Sequence, residues 1–221
     1  MGARDPAAVT AATPASALAA RRAGLLLFSG ENHLGSHWAR LILCEKDVDG
    51  VAIEWVDDDT VNEDWMTLSP RGELPTLADR EVVLYPARLV VEYLDERYPH
   101  PPLLPVEPAA RARVRMIQHH IASHLYGLAT TGLGQGRPAQ AARKELQEEL
   151  LGLARMFPAR GFFMGNDMTV VDTAWAPLMW RLPSLGIALD SVDGMRAYAD
   201  RLFARGAFQR SLSSVERNLA A

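Results

Sequence analysis

The chain has 221 residues, 48% of them hydrophobic, and carries 27 acidic against 23 basic side chains for a net charge of -4. That length suits one large domain or two small ones around an ordinary core. The acidic balance excludes a large sequence-independent nucleic-acid surface, which needs clustered Lys and Arg, and the single cysteine, Cys44, excludes an intramolecular disulfide or a cysteine-cluster metal site.

A lone thiol fits a reducing cytoplasm. No apolar run approaches the ~18–20 residues that span a bilayer, so no membrane contact is expected. Residues 1–23 are rich in Ala, Thr, Ser and Pro. They lack the basic start and apolar core of a secretory signal, and they read as a disordered tail.

Leu25-Leu26-Leu27-Phe28 is a short apolar run closed by Ser29-Gly30 and predicts a buried strand. Trp38, Leu41, Ile42 and Glu45 then recur at helical spacing, with Ser36 as the expected N-cap and with Arg40 and Lys46 on other faces. After Asp49-Gly50, the alternation of Val51, Ile53 and Trp55 predicts a second strand with an outward Glu54. Asp57-Asp58-Asp59 lacks calcium-loop register and reads as a solvated turn. Leu74-Pro75-Thr76-Leu77 and Val82-Val83-Leu84 predict two more strands, with Pro75 at the first position because it cannot donate to a ladder. Leu89, Val90, Tyr93 and Leu94 mark a helix with Pro86 in its first turn.

That helix runs into Tyr98-Pro99-His100-Pro101-Pro102. Each proline disfavours helical geometry in the residue before it, so the helix ends here and the segment is held extended. A histidine held this way loses less entropy on engaging a partner than one on a flexible loop. A stiff linker with His100 facing solvent explains the same pattern.

Helical periodicity then continues almost to the end. Val114, Ile117, His120, Ile121 and Leu125 form one stripe, and Leu146, Leu150, Leu153 and Phe157 another. Thr169 and Asp172 have capping-box spacing ahead of a third helix, and two more are expected over 195–204 and 208–219. His120 and His124 share i, i+4 spacing, but no HExxH motif or third ligand accompanies them, so a metal site is not expected. Gly132-Leu133-Gly134-Gln135-Gly136 follows a helix rather than a strand and reads as an interhelical loop. Cys44 reads as a buried structural thiol.

A mixed α/β unit, a Pro-rich linker and an all-helical half together resemble the glutathione transferase superfamily. The resemblance rests on Leu74-Pro75-Thr76, where that family has a cis-proline, on Glu92-Tyr93-Leu94, and on the Thr169–Asp172 capping box. Within the superfamily, the run from Glu92 to Pro105 and the segment Trp180-Arg181-Leu182-Pro183-Ser184-Leu185-Gly186-Ile187 are similar to the stringent starvation protein A family.

The resemblance implies an α+β fold: a tail at 1–23, a thioredoxin-like domain at 24–98, a linker at 99–107 and an all-helical domain at 108–221. It further implies a cytoplasmic homodimer with a part in the stress response, acting on transcription by contact with RNA polymerase and sigma factor and without binding nucleic acid itself. Pro99, His100 and Pro101 would carry that contact, with Tyr98, Pro102 and Leu103 lining the same surface.

Catalytic relatives activate glutathione with a Ser, Tyr or Cys after the first strand. Here His33 falls near that position, with Ser29 and Ser36 as alternatives. The Glu-Ser pair that holds the γ-glutamyl end falls on Pro86-Ala87, which offers neither hydroxyl nor carboxylate. Together with Leu74 and Pro75, these positions imply a vestigial glutathione site. No catalytic residue, metal or cofactor is therefore expected, and a glutathione-dependent transferase or reductase is the rival reading.

Overall fold

A computed structural model describes residues 24–56, 63–80 and 82–220. The Ala-rich tail and the acidic turn at Asp57-Asp58-Asp59 lie outside the described residues. The first half builds a four-stranded sheet from β1 (Leu26–Gly30), β2 (Ala52–Val56), β3 (Thr76–Ala78) and β4 (Val83–Leu84), in the order β2-β1-β3-β4. β1 pairs parallel to β2 and antiparallel to β3, and β3 pairs antiparallel to β4. With helices α1 (Leu34–Glu45), α2 (Glu63–Leu68) and α3 (Ala87–Arg97), this is the βαβ–ββα order of a thioredoxin-like domain.

The period of two along β1 divides the core. Leu25 and Leu27 face a large cluster shared with α1 and α3, whereas Leu26 and Phe28 face a smaller one with Leu68 of α2. β2 departs from the expected facing. Ile53 and Trp55 are 38% and 44% exposed, and Ala52 and Val56 pack inward instead. β2 is an edge strand, and Trp55 is covered by the guanidinium of Arg40, 5.0 Å from its ring centroid.

The second half is helical: α4 (Pro108–His120), a π turn (Ile121–Leu125), α5 (Tyr126–Gly132), α6 (Gly136–Gly152), α7 (Val170–Arg181), α8 (Met195–Phe203), α9 (Gly206–Ser211) and α10 (Ser214–Arg217). The Gly132–Gly136 stretch joins α5 to α6 as read. The helix expected over 208–219 is two short ones broken at Leu212-Ser213, because Ser213 caps a new start with Glu216 in a capping box. α6 stops at Gly152, so Phe157 lies beyond it.

α7 is the central helix, buried along nearly its whole length. Its capping box is present. Asp172 accepts from the Thr169 amide at 2.8 Å, and its carboxylate also takes the Phe163 amide at 2.7 Å and the Tyr198 hydroxyl at 2.6 Å.

Arg40 and Lys46, read as lying off the apolar stripe of α1, are 3% and 6% exposed. α1 is packed on both sides, against the sheet and α3 and against the helical half, so its polar face is covered too. The cost of burying Arg40 is met by a shared network. Glu216 accepts from Arg40 at 2.6 Å and from Arg181 at 2.5 Å. His37 sits between them, its Nδ1 3.1 Å from Arg181 Nη1 and its Nε2 3.1 Å from Ser211 Oγ. Burial, with the charges of Arg181 and Arg40, lowers the His37 pKa well below 6.5. The ring is therefore neutral, with Nδ1 accepting from Arg181 and Nε2–H donating to Ser211.

Candidate functional site

Two places come out of the sequence: the loop and helix starts where a transferase would hold glutathione, and the proline run. At the first, His33 rather than Ser36 is the N-cap of α1. Its Nδ1 accepts from the Ser36 amide at 3.1 Å, and Ser36 Oγ takes the Gly30 amide at 3.1 Å. The buried Ser29 hydroxyl accepts from Arg40. All three side chains near the sulfur-activating position are thus engaged in holding the loop.

Gly35 brings the expected positions together. A Cβ there would lie 2.9 Å from Ala87 Cβ, 3.2 Å from His33 Cε1 and 3.3 Å from Pro75 Cδ, so only glycine allows this approach. The Leu74–Pro75 bond is cis, as the resemblance implied, and so are Tyr85–Pro86 and His100–Pro101. His33, Leu74, Pro86 and Ala87 line a cleft of about 340 Å³ whose opposite wall is Ser123, Tyr126 and Thr130 of the helical half. Pro86 is the N-cap of α3 and offers no side-chain cap, and it has no amide hydrogen. The end of α3 that would meet a γ-glutamyl carboxylate therefore lacks two donors.

At the second place, α3 ends at Tyr98, whose amide still reaches Leu94 at 3.0 Å. Pro99, His100, Pro101 and Pro102 are exposed and Tyr98 is half-buried. His100 makes no hydrogen bond or ion pair among the described residues. Leu103 departs from the expectation: it is 1% exposed and belongs to the core. Its backbone ties the halves together, the amide donating to Asp95 Oδ1 at 3.0 Å and the carbonyl accepting from Val170 of α7 at 2.9 Å.

The anchor beneath this run escaped sequence reading. Lys46, just after α1, donates to Asp95 at 2.5 Å and to the Pro101 carbonyl at 2.6 Å. A signal was there in Asp95, which stands four residues after Val91 on the buried face of α3 with Val90 and Leu94. An acid on an apolar stripe calls for a buried cation or amide. Alongside, Asp79 accepts from Tyr93 at 2.5 Å and Arg97 at 3.2 Å. Burial, then the hydrogen bond to Asp79, pushes the Tyr93 phenol up to about 12.

Cys44 is partly buried and borders a shallow pocket with Arg40 and Arg210; burial pushes its thiol up, which suits a structural role. Among the described residues, no group of three or more His, Cys, Asp or Glu could hold a metal ion. No described helix is long and apolar enough to cross a membrane.

Comparison with known proteins bears on the family and the fold. Residues 35–102 match the family model of the glutathione S-transferase N-terminal domain. A stringent starvation protein A homolog of Coxiella burnetii is 41% identical over 202 residues, 90% of this chain and 96% of that one. The homolog of Haemophilus ducreyi is 37% identical over 196 residues, 87% and 91% of the two chains. Among solved structures, a rice glutathione transferase in complex with glutathione superposes with a TM-score of 0.77 at 21% identity, covering 89% of this chain and 93% of that one. Identity that low speaks for the fold alone. Full-length similarity at 37–41% identity, on a thioredoxin-like domain followed by a helical one, places the chain in the stringent starvation protein A family, on the glutathione transferase fold.

Proposed function

We propose that this protein is a non-enzymatic regulator of transcription that works by contact with RNA polymerase and its sigma factor, through the surface of Tyr98, Pro99, His100, Pro101 and Pro102. The observation that carries the reading is a histidine presented to solvent without an internal partner, on a segment tied down by Lys46 and Leu103. A side chain held this way binds a partner at a small entropic cost. Family membership supplies the class of partner. An acidic chain that bridges two proteins needs no nucleic-acid contact of its own, in keeping with the charge of -4. The protein acts in the cytoplasm as a homodimer on the transferase pattern, which native mass measurement would distinguish from a heterodimer.

The test is co-purification with RNA polymerase holoenzyme, comparing wild type with His100→Ala and Pro99→Ala. Circular dichroism should show both variants folded, and both should lose the association. Binding by either at wild-type strength would show that the working surface lies elsewhere.

A further inference from the structure

The linker that displays His100 also walls a groove. Leu104 and Val106 of the linker, Ala110 and Val114 of α4, and Met164 and Met168 of the loop before α7 line a hollow of about 480 Å³. That volume falls in the range of about 300–1,000 Å³ typical of clefts that enclose a ligand. Val106, 87% exposed, leaves an apolar edge open to solvent.

The walls are set before anything binds. On the linker side, Lys46 holds the Pro101 carbonyl, Asp95 and Val170 hold the Leu103 amide and carbonyl, and Arg111 Nε holds the Pro105 carbonyl at 2.8 Å. On the other side, Phe162 and Gly165 exchange two backbone hydrogen bonds at 2.7 and 3.1 Å, and Asp172 takes the Phe163 amide. Backbone fixed in this way adds little ordering cost when a partner docks. The two methionines supply an unbranched, adaptable lining between those walls.

We propose that this groove receives one large apolar side chain of the protein partner that meets His100, on a segment carrying an acidic residue toward Arg113 and a basic residue toward Asp167. The inference rests on the reading of Tyr98–Pro102 as a protein-binding surface. Continuity selects that occupant: Pro102 belongs both to that surface and to the lining of the groove, so a partner seated on His100 reaches the hollow directly. Charge selects the flanking residues. Arg113 and Asp167 both line the groove, both are exposed, and neither makes a hydrogen bond or ion pair with another described residue. Glu107, close in sequence to Arg113, has its carboxylate committed to the amides of Ala109 and Ala110 at the start of α4.

The experiment measures the affinity of RNA polymerase holoenzyme for wild type, His100→Ala, Ala110→Trp and Arg113→Glu, all full-length. Ala110→Trp fills the groove, and Arg113→Glu reverses a charge that holds nothing in the fold. Each should weaken association by at least about tenfold with Tm near wild type. Should Ala110→Trp fail to fold, Arg113→Glu decides alone. Met164 and Met168 should also oxidise more slowly in the complex than in the free protein, read by mass spectrometry. Wild-type affinity in both groove variants, with His100→Ala impaired, would overturn the groove and leave the His100 surface standing. No association by the wild type, or wild-type affinity in every variant, would overturn both. Slow oxidation of both methionines in the free protein would mean that a second copy or another part of the chain already fills the hollow, which also overturns the assignment.

Discussion

Lys46 Nζ donates to the carbonyl oxygen of Pro101 at 2.6 Å, across the 55 residues that separate them in the chain. With Asp95 as its counter-ion, this lysine fixes the backbone on which His100 is displayed. The first prediction concerns that anchor. Lys46→Met leaves Asp95 buried without its cation, and breaking a buried pair from one side costs about 3–5 kcal/mol. In Lys46→Met/Asp95→Leu no charge is stranded, and the remaining defect is the Leu103 amide, which loses its acceptor at about 1–3 kcal/mol. Urea unfolding should therefore rank the double variant between wild type and Lys46→Met. Hydrogen exchange at the Leu103 amide should speed up in both. A Lys46→Met protein as stable as wild type would mean that the pair anchors nothing.

Much of the fold was legible because its devices are local. The apolar run of β1, the stripe of α1 and the Thr169–Asp172 box each sit within a few residues of sequence, and all stand where local rules put them. What escaped is long-range. Arg40 and Lys46 looked exposed because a helical wheel shows one apolar face, and no wheel reveals that the second face meets another domain. Glu216, 176 residues from Arg40, carries no local mark of burial. At the candidate site the failure was Leu103. Proximity to Pro102 suggested the surface, whereas its apolar side chain and its two backbone bonds take it inward.

His37 predicts a pH dependence of stability. Its folded pKa lies well below 6.5, so between that value and the unfolded one the unfolded chain binds a proton that the native state does not. The stabilisation is complete above the unfolded pKa, near 6.5, and is lost as pH falls below it, at up to about 1.4 kcal/mol per pH unit. His37→Gln, which keeps a hydrogen-bonding side chain, should flatten that part of the profile by one proton. Denaturant midpoints between pH 7 and pH 5 for the two proteins provide the measurement. Parallel profiles would show that His37 does not carry the linkage.

Asp172 holds four groups at once, the amides of Thr169 and Phe163 and the hydroxyls of Thr169 and Tyr198. Asp172→Ala should cost at least about 3 kcal/mol, since a helix cap contributes about 1 kcal/mol and each buried donor left unpaired about 1–3. Thr169→Ala removes only the reciprocal cap and should cost about 1 kcal/mol. Chemical denaturation of both variants checks the ratio, and equal losses would argue against the carboxylate as the hub.

The last prediction separates the regulator from its enzymatic rival. At the start of α3, Pro86 has no amide to donate and Ala87 no hydroxyl, so a γ-glutamyl carboxylate would meet two missing donors there. Hydrogen bonds to a charged group contribute about 1.5–3 kcal/mol each, and losing two weakens binding by about two to four powers of ten. Calorimetry with reduced glutathione at millimolar concentration should accordingly show no saturable heat, while a catalytic transferase of the same fold saturates under the same conditions. Ala87→Ser returns one hydroxyl at the cleft wall and should strengthen glutathione binding if this is where the ligand docks. Clear binding by the wild-type protein, with turnover of a model electrophile, would reverse the ranking. The His33–Ser36 turn would then have to release a group to activate sulfur, because its side chains are committed to holding the start of α1.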